Sequence, residues 1–139
     1  MTFGVFGIVI ILGRKGEENL EIKNYSGLAY KHPVIALSMT IFLLSLGGLP
    51  PFAGFVAKFY LFSAAIQEGL LTLVIIAVLN SAISFYYYLK VVVFMYMKEP
   101  EPDFKISLTP ITLFVILIGV IGTINLGIFP NSIIALATH

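Results

Sequence analysis

In the stretch GLPPFAGFVAKFYLF, from Gly48 to Phe62, one lysine stands among apolar residues, shortly after a pair of prolines. The nearest acidic residue to Lys58 along the chain is Glu68, about 15 Å away if the intervening chain is helical. An amine in such company is suited to taking up a proton and giving it back as its surroundings change. At the centre of a bilayer an ammonium costs at least about 2.5–3.5 kcal/mol on insertion scales, so it needs water, a partner, or the loss of its proton. The bland alternative is that Lys58 snorkels past Tyr60 and Phe62 toward an interface, or pairs for structure alone.

Fewer polar groups elsewhere have the spacing for chemistry. Asn80, Ser84 and Tyr87 recur at helical spacing and share one face, with Ser81 and Tyr88 beside it. In lipid such a stripe either bonds neighbouring helices or lines a water-filled path. Lys90, in SFYYYLKVVVFMYM, lies about 12 Å along a helix from Lys98. It either anchors at the interface among aromatic residues or belongs to the same hydrated path. Gly119, Gly122 and Thr123 read as small packing positions, and Asn125 has no assignable partner. His32 stands at a loop edge, and Glu17, Glu18 and Glu21 suit a solvated loop or a contact with a neighbouring subunit. The glycines of LGRKG do not have the spacing of a nucleotide-binding loop. The sequence shows no metal, haem or flavin site and no nucleophile–base pair, so no cofactor is expected to bind this chain.

What positions Lys58 is the segment GGLPPFAG. Pro50 and Pro51 lack amide hydrogens, and Gly47, Gly48 and Gly54 let the backbone bend around them. These five residues form an expected hinge in an apolar segment, 34–66, that would measure about 50 Å as one straight helix against a hydrocarbon core of about 30 Å. Broken helices survive in lipid only where the freed backbone groups meet protein or a wet cavity. Transporters build ion sites from them.

The solvent is set by composition. The 139 residues are 59% hydrophobic and 11% charged, with a mean hydropathy of +1.03. A soluble domain carries about a quarter charged residues. The expected fold is therefore all-α, a polytopic transmembrane helix bundle. Its spans are an incomplete one over 1–13, the broken one over 34–66, and two more over 70–97 and 106–129, with charged loops at 14–33 and 98–105. The paired prolines of KEPEPDFK end the third apolar segment, and Pro130 and Asn131 interrupt the last. Arg14, Lys15, Lys23, Lys31, Lys98 and Lys105 fall in the two loops, while the connection 67–69 has no basic residue. The positive-inside rule then puts the loops in the cytoplasm and His139 on the outer side. Met1 to Leu12 lacks the basic start and small-residue cleavage site of a signal peptide. There is no cysteine, hence no disulfide or thiolate chemistry. The net charge of +1, without a basic tract, gives no footprint for nucleic acid.

The stretch LLSLGGLPPFAGFVAKFYLF, with GRKGEENLEIKNYSGLAYKHP before it and NSAISFYYYLKVVVFMYM after it, resembles the C-terminal part of the subunit N family. These are antiporter-like membrane subunits of the proton-pumping NADH–quinone oxidoreductase, respiratory complex I. The resemblance covers essentially the whole chain. It implies a fragment of an antiporter-like fold of about fourteen helices, built on two inverted repeats with a broken helix in each. Lys58 then matches the lysine of the second broken helix, a carrier in the proton path. No strict role passes to Lys90 or to the Asn80–Ser84 stripe, although a hydrated path suits the helix that bears them. The first repeat, with its own membrane lysines and glutamate, is absent from this sequence. The expected partners are therefore the missing N-terminal part, neighbouring antiporter-like subunits and other membrane subunits of the complex, in the cell inner (plasma) membrane. NAD, FMN, iron–sulfur clusters and quinone are expected elsewhere in the complex.

Two other readings stay open at this stage. One is a module of a secondary cation/proton antiporter, which would exchange ions without NADH or quinone. The other is a purely structural membrane subunit in which Lys58 only pairs with a neighbour.

Overall fold

The computed structural model describes residues 1–13, 25–99 and 109–129. Arg14, Lys15, Lys23, the three loop glutamates, Lys105, Pro130, Asn131 and His139 lie outside the described residues, as does most of the KEPEPDFK segment. Among the described residues every regular element is helical. In order they are α1 (Thr2–Gly13), α2 (Leu28–Lys31), α3 (Pro33–Gly47), α4 (Ala53–Gln67), α5 (Leu71–Met97) and α6 (Pro110–Ile128). α3 and α6 each begin with a proline in the first turn, where the missing N–H costs nothing. α5 and α6 are long and apolar enough to cross a membrane. α3 and α4, at 15 residues each, reach only about 22 Å apiece.

α3 is the hub. It packs against α1, α2, α4, α5 and α6, and buries Ile35, Ala36, Met39, Phe42 and Leu43 as well as Ser38 and Ser45. A helix that is apolar nearly all round is one surrounded by others. By contrast α5 and α6 expose long rows of Leu, Ile and Val, a surface that suits lipid or further helices rather than water. Before α2, Tyr25 is buried, and burial pushes its phenol above the usual range. The Gly27 N–H donates to the Phe94 carbonyl at 3.3 Å, fastening this segment to the end of α5.

Phe42 shows how the bundle is held. Its ring is 1% exposed and lies between Gly4 of α1 and Gly119 of α6, whose missing side chains make room for it. Beside it the same helices leave an apolar cavity of about 410 Å³, lined in part by Phe3, Ile111 and Val115. Within a lipid phase the gain is packing rather than water exclusion. Phe42→Ala is expected to cost about 3 kcal/mol, the low end of the range for buried Phe→Ala. The cost should be read as a lower thermal midpoint of the detergent-solubilised full-length subunit. A midpoint equal to wild type would mean that Phe42 does not hold α1 and α6 to α3.

Candidate proton-carrying site

The apolar segment breaks where prolines and glycines cluster, and each end of the break is finished by specific bonds. α3 stops at Gly48, whose φ of +86° is a left-handed conformation open to glycine. The Gly48 N–H donates to the Ser45 carbonyl at 3.0 Å and the Leu49 N–H to the Leu44 carbonyl at 3.1 Å, the paired closure of a Schellman motif. A turn follows, closed by the Phe52 N–H on the Leu49 carbonyl at 3.1 Å, with a cis Pro50–Pro51 peptide at its centre. α4 then starts at Ala53 without any side-chain cap from Phe52.

The cap comes from the other half-helix. Ser45 Oγ, fully buried in α3, accepts the Gly54 N–H at 3.1 Å, satisfying one of the donors that a helix start leaves free. The two backbones touch here, because a Cβ on Gly54 would overlap the Ser45 carbonyl oxygen. α6 closes from another side: a Cβ on Gly127 would overlap the Pro51 carbonyl oxygen and the Phe52 backbone. On α5, the Phe85 ring lies against Gly47.

Lys58 lies one turn beyond Gly54 on the same face of α4. Its Nζ reaches back across the break and donates to the Gly47 carbonyl at 3.2 Å, while its aliphatic carbons pass over Gly48. The ammonium therefore meets the C-terminal end of α3, where unpaired carbonyls amount to roughly half a negative charge. Among the described residues no carboxylate pairs with Lys58.

The other sequence-derived residues divide. Gly47, Gly48, Pro50, Pro51 and Gly54 all fall at the break. Asn80 and Tyr87 lie on the exposed side of α5, Ser84 is half-buried, and the Ser84 hydroxyl donates to the Asn80 carbonyl at 2.9 Å within the same helix. α5 turns Val74, Phe85, Tyr88 and Met95 inward. Lys90 is also exposed. Of the small residues in α6, Gly119 packs on Phe42 and Thr123 donates to the Gly119 carbonyl at 2.8 Å. Gly122 is half-buried, and a Cβ added there would meet no atom within 4 Å among the described residues. Ser45 and Gly127 escape a spacing analysis. A serine inside an apolar helix just ahead of a break was the available signal for the first.

An all-α apolar bundle whose interrupted helix sets a lysine against the broken end is the arrangement from which membrane transporters build ion sites. The family model described as NADH:quinone oxidoreductase/Mrp antiporter, TM, matches residues 1–84, more than half of the chain, and the chain belongs to that family. It is 45% identical to NADH-quinone oxidoreductase subunit N of Trichlorobacter lovleyi over 99% of this chain and 28% of that protein. It is 44% identical to the chloroplastic NAD(P)H-quinone oxidoreductase subunit 2 of Mesostigma viride, over 99% of this chain and 29% of that protein. Among solved structures, a chain of respiratory complex I from Thermus thermophilus with bound aureothin superposes with a TM-score of 0.74 at 30% identity. That match covers 79% of this chain and 26% of the other. The chain thus spans less than a third of the length of these relatives.

Proposed function

We propose that this chain is the C-terminal region of a membrane subunit of a proton-translocating NADH–quinone oxidoreductase, and that Lys58 carries a proton within it. The observation that carries the reading is the Lys58–Gly47 contact across the break. A half-helix end favours the protonated amine by its dipole without neutralising it, as a carboxylate would. A change in charge or hydration nearby then tips the amine between holding and releasing its proton. α3, the break and α4 act together as one interrupted span, with the charged loops on the cytoplasmic side of the cell inner membrane. Electron transfer from NADH to quinone belongs to other subunits, and this chain's part is ion movement. The family description, which names an antiporter beside the oxidoreductase, supports the ion-movement part of that assignment.

The test is Lys58→Ala in the assembled complex, with proton translocation and NADH oxidation both normalised to complex content. Coupled turnover is expected to fall by about tenfold or more, below the roughly 10²-fold that a positioned proton-transfer group commonly contributes. Unchanged rates would leave Lys58 a snorkelling or packing residue. Ion exchange that persists without NADH or quinone would move the reading to a secondary antiporter.

A further inference from the structure

We infer that Ser45 is a positioning residue for Lys58, holding the start of α4 in the register at which the amine reaches the Gly47 carbonyl. The inference rests on the proton-carrier reading above but concerns a different side chain. Three observations converge on it. Ser45 is the most deeply buried polar residue of α3, at 0% exposure. Its oxygen accepts the Gly54 N–H from the opposite half-helix. Gly54 and Lys58 are one helical turn apart, so whatever fixes the first also sets the height of the second.

The hydroxyl is unsuited to passing a proton itself. Its oxygen is engaged by the Gly54 amide and its hydrogen faces the Met1 sulfur. It touches neither the Lys58 amine nor the Gly47 carbonyl by any hydrogen bond among the described residues. Its influence therefore runs through backbone placement. Without the cap, the Gly54 amide is left buried and unpaired, and the first turn of α4 gains by shifting toward any other acceptor. Lys58 moves with it.

The experiment compares Ser45→Ala, Ser45→Thr and the double variant Ser45→Ala/Lys58→Ala in the intact complex, measuring complex content and proton translocation per NADH oxidised. Ser45→Ala is expected to assemble normally and lose about fivefold in coupled turnover, the fold-change that one net hydrogen bond represents. Ser45→Thr, which keeps the hydroxyl, should recover most of it. On the Lys58→Ala background, Ser45→Ala should remove nothing more, because its effect passes through the amine. Wild-type turnover in Ser45→Ala, further loss in the double variant, or loss of complex content in Ser45→Ala with recovery in Ser45→Thr would each overturn the inference. If Lys58→Ala alone is silent, the proton-carrier reading fails, and any loss in Ser45→Ala then cannot pass through the amine and overturns the inference as well.

Discussion

Lys58→Arg is expected to keep the complex assembled, keep a cation against the end of α3, and still lose coupled turnover nearly as completely as Lys58→Ala. The guanidinium stays charged at every physiological pH, whereas an ammonium moved out of water gives up its proton readily. The longer side chain retains donors for the Gly47 carbonyl, which the native amine meets at 3.2 Å. The substitution thus separates two roles that alanine removes together. If Lys58 serves only as a counter-charge for the carbonyl end of α3, arginine substitutes for it and the rates stay near wild type. If it must release a proton in each cycle, arginine blocks that step, and turnover falls by about tenfold or more, below the roughly 10²-fold that a proton-transfer group contributes. Proton translocation per NADH oxidised, measured with complex content, decides it. Wild-type coupling in the arginine variant would sink the carrier role while leaving the contact intact.

The Lys58 contact also shows where sequence reasoning reaches and where it stops. That the chain is an all-α membrane bundle with a helix broken near Pro50 and Pro51 was legible, because length, apolarity and proline chemistry are local properties. The partner of Lys58 was not. A search along the sequence for a carboxylate finds Glu68 too far away, whereas the structure answers with a backbone carbonyl, a group every residue has and no sequence marks. Such a partner exists only once α3 has ended, and the end depends on Gly48 adopting φ +86°.

The same distinction explains the Asn80, Ser84 and Tyr87 stripe. Periodicity places these residues on one face of α5, but which face meets α3 is decided by how Phe85, Tyr88 and Met95 pack, a property of two helices at once. Gly127 was illegible for a related reason. It is needed because Pro51, far away in the chain, brings its carbonyl oxygen to within the space a side chain would take.

The second large effect is expected from a single methyl group. Gly54→Ala puts a Cβ where the Ser45 carbonyl oxygen already lies, and both sides of that overlap are backbone, so no side chain can rotate out of the way. α4 must withdraw from α3, which breaks the Gly54 N–H bond to Ser45 Oγ and carries Lys58 off the Gly47 carbonyl. Overpacking costs about 1–3 kcal/mol, and an orphaned buried amide adds about 1–3 more. That total is a large fraction of the about 5–15 kcal/mol by which a domain is stable. The variant should therefore either lose most of its assembled complex or, where some assembles, show the coupling defect of Lys58→Ala. Two glycine variants calibrate the result. Gly47→Ala meets the Phe85 ring, which can turn aside, and should be milder. Gly122→Ala meets nothing within 4 Å and should assemble and couple as wild type does. Normal complex content and normal coupling in Gly54→Ala would mean that the half-helices do not meet at Ser45. The gradation from Gly122 through Gly47 to Gly54 follows what each added carbon would strike, and the loss of helix-breaking freedom common to all three cannot produce it.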